Sequence, residues 1–528
     1  MPNAAPRARF DVRRFGAAGD GRTLDTAALN RAIAAAAAAG GGEVLVPAGD
    51  YLCHSLRLRS HITLRLAAGA TLIAADPPPA GDPAAPGYDP PEEAPANFHQ
   101  DFGHSHFHNS LVWGVGLEQV AVLGPGRIYG RGLSRGNGRI ALPVGQVAAQ
   151  PPGHLPDVLE ADGPVEPAVT PAAPGAFGYP SPTDTLPAGV GNKAIALKSC
   201  RGVDIRDLTI LHGGHFAILA ADCEHVTVER VVIDTNRDGI DIDACAHVRI
   251  EHCTVNSPWD DGICVKSSCG FGGVRPAEHI TIAHCHVSGF EEGTLVDGTR
   301  SRVIRHRGGP IGRIKLGTEA SGGFRQVVIR DCEFEFCRGL ALEQVDGAIM
   351  EDITVANLVM REVMNAPIFI RLGGRLRAPG ATQPGTARRI AISHVTAHDV
   401  APDHGIFIAG VPGHPVTDVE LAAIDLRCRG GGTPAAGPVP ELVDGYPEPM
   451  LFGPLPAWGL YVRHAAGLQL REISLRLLNP DPRAAVVLDD VADVDASGVR
   501  LTGAGPGPQW ELAGATGLRA RNCDGMGT

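Results

Sequence analysis

The chain has 528 residues, with 46 basic and 58 acidic side chains and a net charge of −12. A general nucleic-acid binder carries excess basic charge, so this balance speaks against one, and no run approaches the ~18 uninterrupted apolar residues of a membrane helix. Hydrophobic residues at 44% supply a large core and exclude wholesale disorder, while 68 glycines and 43 prolines suit short strands and frequent corners.

Residues 1–9 read as a tail without an apolar core, which predicts a cytoplasmic protein or an exported one whose signal has been removed. Thr26 to Ala39 is a run of strong helix formers, expected as a helix capping the end of a larger structure. A strand, Glu43 to Val46, and the turn Pro47-Ala48-Gly49 follow. Residues 76–97 and 143–187 read as loop insertions; the second holds 11 prolines in 45 residues.

From residue 203 a short pattern recurs: two apolar residues one apart, a gap of two, then two more. It appears as Val203/Ile205/Leu208/Ile210, Val226/Val228/Val231/Ile233, Val248/Ile250/Cys253/Val255, Ile280/Ile282/Cys285/Val287 and Val327/Ile329/Cys332/Phe334, with looser copies to Leu475. The early copies step by 23 and 22 residues. Alternation in each half marks strands with one buried face, and a coil of ~22 residues holding two or three of them is the unit of a β-solenoid. The expected fold is therefore all-β: a single right-handed parallel β-helix over 10–528, with an N-terminal capping helix and insertions near 76–97, 143–187 and 293–311. Cys253, Cys285 and Cys332 share one position of the repeat, and Cys200, Cys223 and Cys245 another. Both sets read as inward ladders of free thiols rather than disulfides.

Five residues beyond the last anchor of four successive copies stand His215, Asp238, Asp260 and Glu292, with Asp261 and Glu291 beside them. Stacked carboxylates repel, and one should hold a proton more tightly than usual, which points to acid–base work. Solvated turn aspartates are the alternative.

Asn236-Arg237-Asp238 resembles the Asn-Thr-Asp motif of the polygalacturonase-like family, glycoside hydrolase family 28. Asp260-Asp261-Gly262-Ile263-Cys264-Val265-Lys266-Ser267 resembles its paired-Asp motif, and Phe10–Gly21, Pro47–Tyr51 and Leu123–Ile128 look like its opening coils. The resemblance implies hydrolysis of pectic chains with inversion, Asp260 as general acid and Asp238 and Asp261 activating the water, with no cofactor or metal. Two departures stand out. The family's Gly-His-Gly coil corresponds to Ile311–Thr318, where the His slot falls on Gly312. Its Arg-Ile-Lys coil corresponds to Gly339–Glu343, where Ala341 and Glu343 replace two cations. An acidic Glu343 would repel a uronate, which favours a rhamnogalacturonan-type or other mixed pectic oligosaccharide, cut from its end.

Substrate contacts are expected from His215, Lys266, Glu292 and Glu343, from Arg371, and from a basic cluster of Arg300, Arg302, Arg305, His306, Arg307, Arg313 and Lys315 suited to a sugar carboxylate. His104, His106 and His108 alternate, and Asp238, Asp241 and Asp243 loosely resemble a calcium loop; both read as non-metal. Trp259 and Trp458 are candidate sugar platforms. The rival functions are exo-polygalacturonase action, a calcium-dependent pectate-type lyase, and a non-catalytic sugar-binding β-helix. The expected partner is a pectic oligosaccharide, with neither nucleic acid nor membrane; oligomeric state is left open.

Overall fold

The computed structural model describes residues 8–78, 86–92, 104–136, 139–140, 186, 188–304, 308–434, 437–503 and 505–526. The chain winds as a parallel β-helix with three strands per coil. One coil runs Phe216–Ala221, Glu224–Glu229 and Val232–Asp234; the next runs Asp238–Asp243, Ala246–Glu251 and Thr254–Asn256; a third runs Ile263–Ser267, Ala277–Ala283 and His286–Ser288. Each strand pairs in parallel with its equivalents one coil away. From Phe324–Glu335 onward the second and third strands merge into one bent strand. The repeat pattern corresponds to these two faces, on which buried Val, Ile and Leu alternate with solvated polar residues, as in Glu224–Glu229.

The first face behaves differently. Every residue of Phe216–Ala221, Asp238–Asp243, Ile263–Ser267, Ile314–Ala320, Leu340–Gln344, Ile368–Leu372 and Ile406–Ala409 is buried. Alternation sends one side chain in two outward, so this face must be roofed by other parts of the chain. At one end Phe107 packs on Phe216, Leu219 and Ala221. At the other, Val439, Phe452 and Leu455 pack on Ala341, Phe369, Phe407 and Tyr461, a second small core outside the helix.

The expected capping helix is present as Thr26–Ala38, burying Ala28, Leu29, Ala32, Ile33 and Ala36 against the main core. Of the expected insertions, 143–185 and 187 lie outside the described residues, as do 79–85, 93–97 and 305–307. Among the described residues no helix is long and apolar enough to cross a membrane.

All twelve cysteines are free thiols, and eleven are buried. The Cys200 and Cys223 backbone N–H groups donate to the sulfurs of Cys223 and Cys245, each at 3.3 Å, so the ladder also satisfies turn amides. Burial pushes the thiols of Cys53, Cys223 and Cys264 far above their usual range, where they are poor nucleophiles. A disulfide-exchange reagent should therefore modify about one thiol of the native protein, Cys523, and all twelve once it is unfolded without reductant. Release of markedly fewer than twelve on unfolding would show cross-links.

Candidate active site

The site lies where the first face begins. Ile240 and Ile242, Ile263 and Val265, Ile314 and Leu316, and Leu340 and Leu342 point into the core. Strand alternation therefore turns Asp241 and Asp243, Cys264 and Lys266, Arg313 and Lys315, and Ala341 and Glu343 outward. The register places Cys264 beside Asp241, Lys266 beside Asp243, and Lys315 between Cys264 and Ala341. Close approach of the coils needs the glycine of the first Asp-Gly pair: a Cβ on Gly239 would sit 2.4 Å from the Gly262 carbonyl oxygen.

Asp238 heads its strand opposite Phe216. Gly239 N–H donates to Asp261 O and Ile240 N–H to Gly262 O, so Asp261 is the residue one rung above Asp238. The sequence column at a constant offset of five is thus not a structural column. The anchors Ile210, Ile233 and Val255 are in register, but the turns leading to Phe216 and to Asp261 each hold one residue more than the turn leading to Asp238. Asp260 falls beside the ladder, its side chain 24% exposed against 2% for Asp238 and 4% for Asp261.

Two charge networks hold these groups. In the first, Lys266 Nζ lies 2.8 Å from Asp241 Oδ2, 3.7 Å from Asp238 Oδ1 and 2.9 Å from His104 Nε2, with His104 Nδ1 3.4 Å from Asp243. Burial, with Asp241 and Asp260 adding to it, pushes Asp238 well above the usual carboxylate range, and Lys266 and Arg237 offset only part of this. Burial also raises Asp241, to about 6, against the pull of Lys266. In the second network, Arg313 Nε donates to Asp261 at 2.8 Å while its two Nη groups fork onto Glu448 at 3.0 and 2.7 Å. Arg338 also reaches Glu448, at 2.7 Å. Lys315 Nζ lies 3.4 Å from Asp261 and 3.5 Å from Glu343. Burial alone would raise Asp261, but Lys315 and Arg313 outweigh it and hold the carboxylate below its usual range. Glu343, buried more than its cations compensate, is raised to about 7.

Asp238 and Asp261 are thus two carboxylates within 4.8 Å whose environments push their proton affinities in opposite directions, the pattern of an acid–base pair. With Cys264 they form the one group among the described residues that could hold a cation. A protonated thiol and two competing ammoniums fit proton handling better.

Of the residues picked from sequence, Asp238, Asp260, Asp261, Lys266, Arg313, Lys315 and Glu343 come together here. His215 lies nearby, its Nδ1 3.0 Å from Arg135 O and its ring 4.4 Å from Phe216. Glu292 is elsewhere: the insertion after Val287 carries it to His212, at 2.7 Å, and to Arg135. The basic cluster does not act as a unit. Arg302 is bound to Glu335 and Glu362 on another face, while Arg313 and Lys315 are buried and committed to carboxylates. Arg305, His306 and Arg307 lie outside the described residues. Arg371, 1% exposed, donates to the carbonyls of Gly410, Glu441 and Leu442 and so ties down the roof. Trp259 and Trp458 are buried. Sequence reasoning missed Glu448 and Tyr446, whose hydroxyl lies 3.4 Å from Lys315 Nζ, both contributed by a loop with no motif, and it read His104 only as non-metal.

Comparison with known proteins agrees with this geometry. Residues 183–289 match the model of glycosyl hydrolases family 28, and residues 9–66 match that of rhamnogalacturonase A/epimerase, pectate lyase-like. A probable polygalacturonase of Vitis vinifera is 26% identical over 337 residues, 60% of this chain and 53% of the relative, so the chain spans about half that protein's length. The fold is shared with the hyperthermoactive exopolygalacturonase of Thermotoga maritima, with TM-score 0.57 and 23% identity over 80% of this chain and 88% of that one. It is also shared with the family 28 exopolygalacturonase of Yersinia enterocolitica, with TM-score 0.60 and 18% identity over 97% and 78%. The chain is thus a parallel β-helix of the polygalacturonase-like kind. Its central coils, which carry Asp238, Asp260 and Asp261, lie within the residues that match glycosyl hydrolases family 28.

The Glu448 network yields a stability prediction. Arg313 and Arg338 outweigh burial and hold Glu448 down, at about 2. Its ion pairs therefore contribute fully above the ordinary Glu value and are lost as pH falls toward 2. Glu448→Gln should cost ~3 kcal/mol at pH 7, the scale for breaking a buried pair, and much less at pH 2.5. Urea unfolding of both proteins at the two pH values tests this; an equal cost at both would refute it.

Proposed function

We propose that this protein is a glycoside hydrolase that removes the terminal sugar from pectic oligosaccharides, with inversion at the cleaved carbon. The observation that carries the reading is the pairing of Asp238 and Asp261 one rung apart, the first raised by burial and the second lowered by Lys315 and Arg313, with the more exposed Asp260 at their edge. In this reading Asp238 and Asp261 hold a water between them. Asp261 takes its proton as the oxygen attacks the anomeric carbon, and Asp260 gives a proton to the departing glycosidic oxygen. Solvent exchange then restores both.

End-wise action is supported by the roofed first face. Outward positions are buried from Phe216 through Ala409, which suits a dead-end pocket rather than the open groove that internal cleavage requires. A neutral terminal sugar, rhamnose, is supported by Glu343 and by the commitment of Arg313 and Lys315 to buried carboxylates, which leaves neither for a uronate. The match of residues 9–66 to a rhamnogalacturonase-type model is in keeping with this. Release of galacturonate is the second reading, favoured by the polygalacturonase relative.

Incubation with galacturonan and rhamnogalacturonan fragments, followed by product identification, separates the two. Free rhamnose is expected; faster release of galacturonate from homogalacturonan would establish the second reading. Asp260→Asn should lower turnover by ~10²–10⁴-fold or more, the worth of general acid catalysis, with stability little changed. Wild-type turnover by this variant would remove Asp260 from the mechanism.

A further inference from the structure

Arg237 occupies the middle position of the first aspartate motif, where the resembling family has a threonine. Its Nη2 lies 2.9 Å from Asp260 Oδ2, and its side chain is 10% exposed at the edge of the site. The other oxygen, Asp260 Oδ1, accepts from the Asp261 backbone N–H at 3.0 Å. In the resting protein both oxygens of Asp260 are therefore occupied by donors. A general acid must present one of them to the departing glycosidic oxygen. Oδ1 faces the backbone amide, so Oδ2, the oxygen beside Arg237, is the one left to meet substrate.

The Asp261 amide belongs to the backbone and is fixed. Arg237 is a flexible side chain whose guanidinium binds carboxylates through two parallel hydrogen bonds. The other cations of the site serve more deeply buried carboxylates. Lys266 serves Asp238, Asp241 and His104, Arg313 serves Asp261 and Glu448, Lys315 serves Asp261 and Glu343, and Arg338 serves Glu448. Arg237 is thus the cation paired with the most exposed of the three catalytic candidates, the carboxylate that water can best solvate when the pair opens.

We propose that Arg237 is a specificity-determining residue that binds the carboxylate of the uronate next to the cleaved bond, and that in doing so it leaves Asp260 and frees Oδ2 to take up a proton from solvent. Recognition of the anionic neighbour and arming of the proton donor are then one event. The idea rests on the hydrolase reading but adds to it the requirement for a charged sugar beside the terminal one. It accounts for how an anionic substrate is held although Ala341 and Glu343 stand where two cations would be.

The test compares oligosaccharides carrying a free or a methyl-esterified uronate beside the scissile bond, with wild type, Arg237→Gln and Arg237→Lys. Wild type should prefer the free acid by ten-fold or more in kcat/KM, on the scale of about one charge-assisted hydrogen bond. Arg237→Gln should lose the preference and cleave the ester faster than wild type does, since no cation then sits against Oδ2; Arg237→Lys should retain part of the preference. A purely structural arginine would slow both substrates alike, and that result overturns the proposal. Calorimetry with galacturonate and its methyl ester separates this idea from the hydrolase reading. Tighter binding of the acid by wild type but not by Arg237→Gln supports the role of Arg237 even if no bond is cleaved. Equal binding of acid and ester overturns it even if hydrolysis is found.

Discussion

Parallel pairing between successive coils forces the acidic side chains of this site together. Gly239 and Ile240 donate to the carbonyls of Asp261 and Gly262, and Gly262 and Ile263 both donate to that of Arg313. Three coils are stapled at one place, at the ~4.8 Å spacing of a strand ladder, and their side chains cannot separate to relieve repulsion. The chain accommodates this by charge assignment rather than by distance. Burial raises the proton affinity of Asp238, Asp261 is paired with Arg313 and Lys315, and Glu448 arrives from a remote loop to balance the excess guanidinium charge. An isolated ion would be far more costly in such surroundings; here each charge is part of a chain of partners.

The same ladder explains why a single residue in a turn matters. Ile210, Ile233 and Val255 stack in register, yet the next strand begins one residue sooner in the coil of Asp238 than in the coils on either side. That shift selects Asp261 rather than Asp260 as the partner of Asp238 and leaves Asp260 at the edge, beside Arg237. In a fold whose repeats otherwise follow one pattern, the irregular turn sets the acidic residues of one coil apart.

Much of this was legible in the sequence. The apolar repeat marks the second and third faces because each has one wet side, so periodicity survives. The first face is buried on both sides: strands such as Phe-Ala-Ile-Leu-Ala-Ala show no polar alternation, and where it survives, as in Asp-Gly-Ile-Asp-Ile-Asp, the polar positions are covered rather than solvated. The aspartates were visible through their motifs, but their register was not, since an offset counted along the chain is blind to a one-residue change in a turn. Glu448, Tyr446 and His104 were out of reach for a different reason. They enter from loops whose path depends on packing far from the motif, such as that of Phe452 on Phe369 and Phe407. Arg371 was noticed in sequence for its charge, whereas in the structure its two Nη groups anchor three loop carbonyls.

The four lysines gain meaning from the roofed face. Lys193 and Lys198 lie on the strand Lys193–Lys198, Lys266 on Ile263–Ser267 and Lys315 on Ile314–Ala320, all on that one side of the solenoid. Every other basic side chain is an arginine. Arginine suits the outer surface, where planar forks bridge carboxylates of neighbouring coils, whereas a compact ammonium can touch several acids converging on one point. To a lysine-directed acylating or cross-linking reagent the outer walls of this molecule are therefore nearly blank, and any lysine that does react reports on the covered face alone.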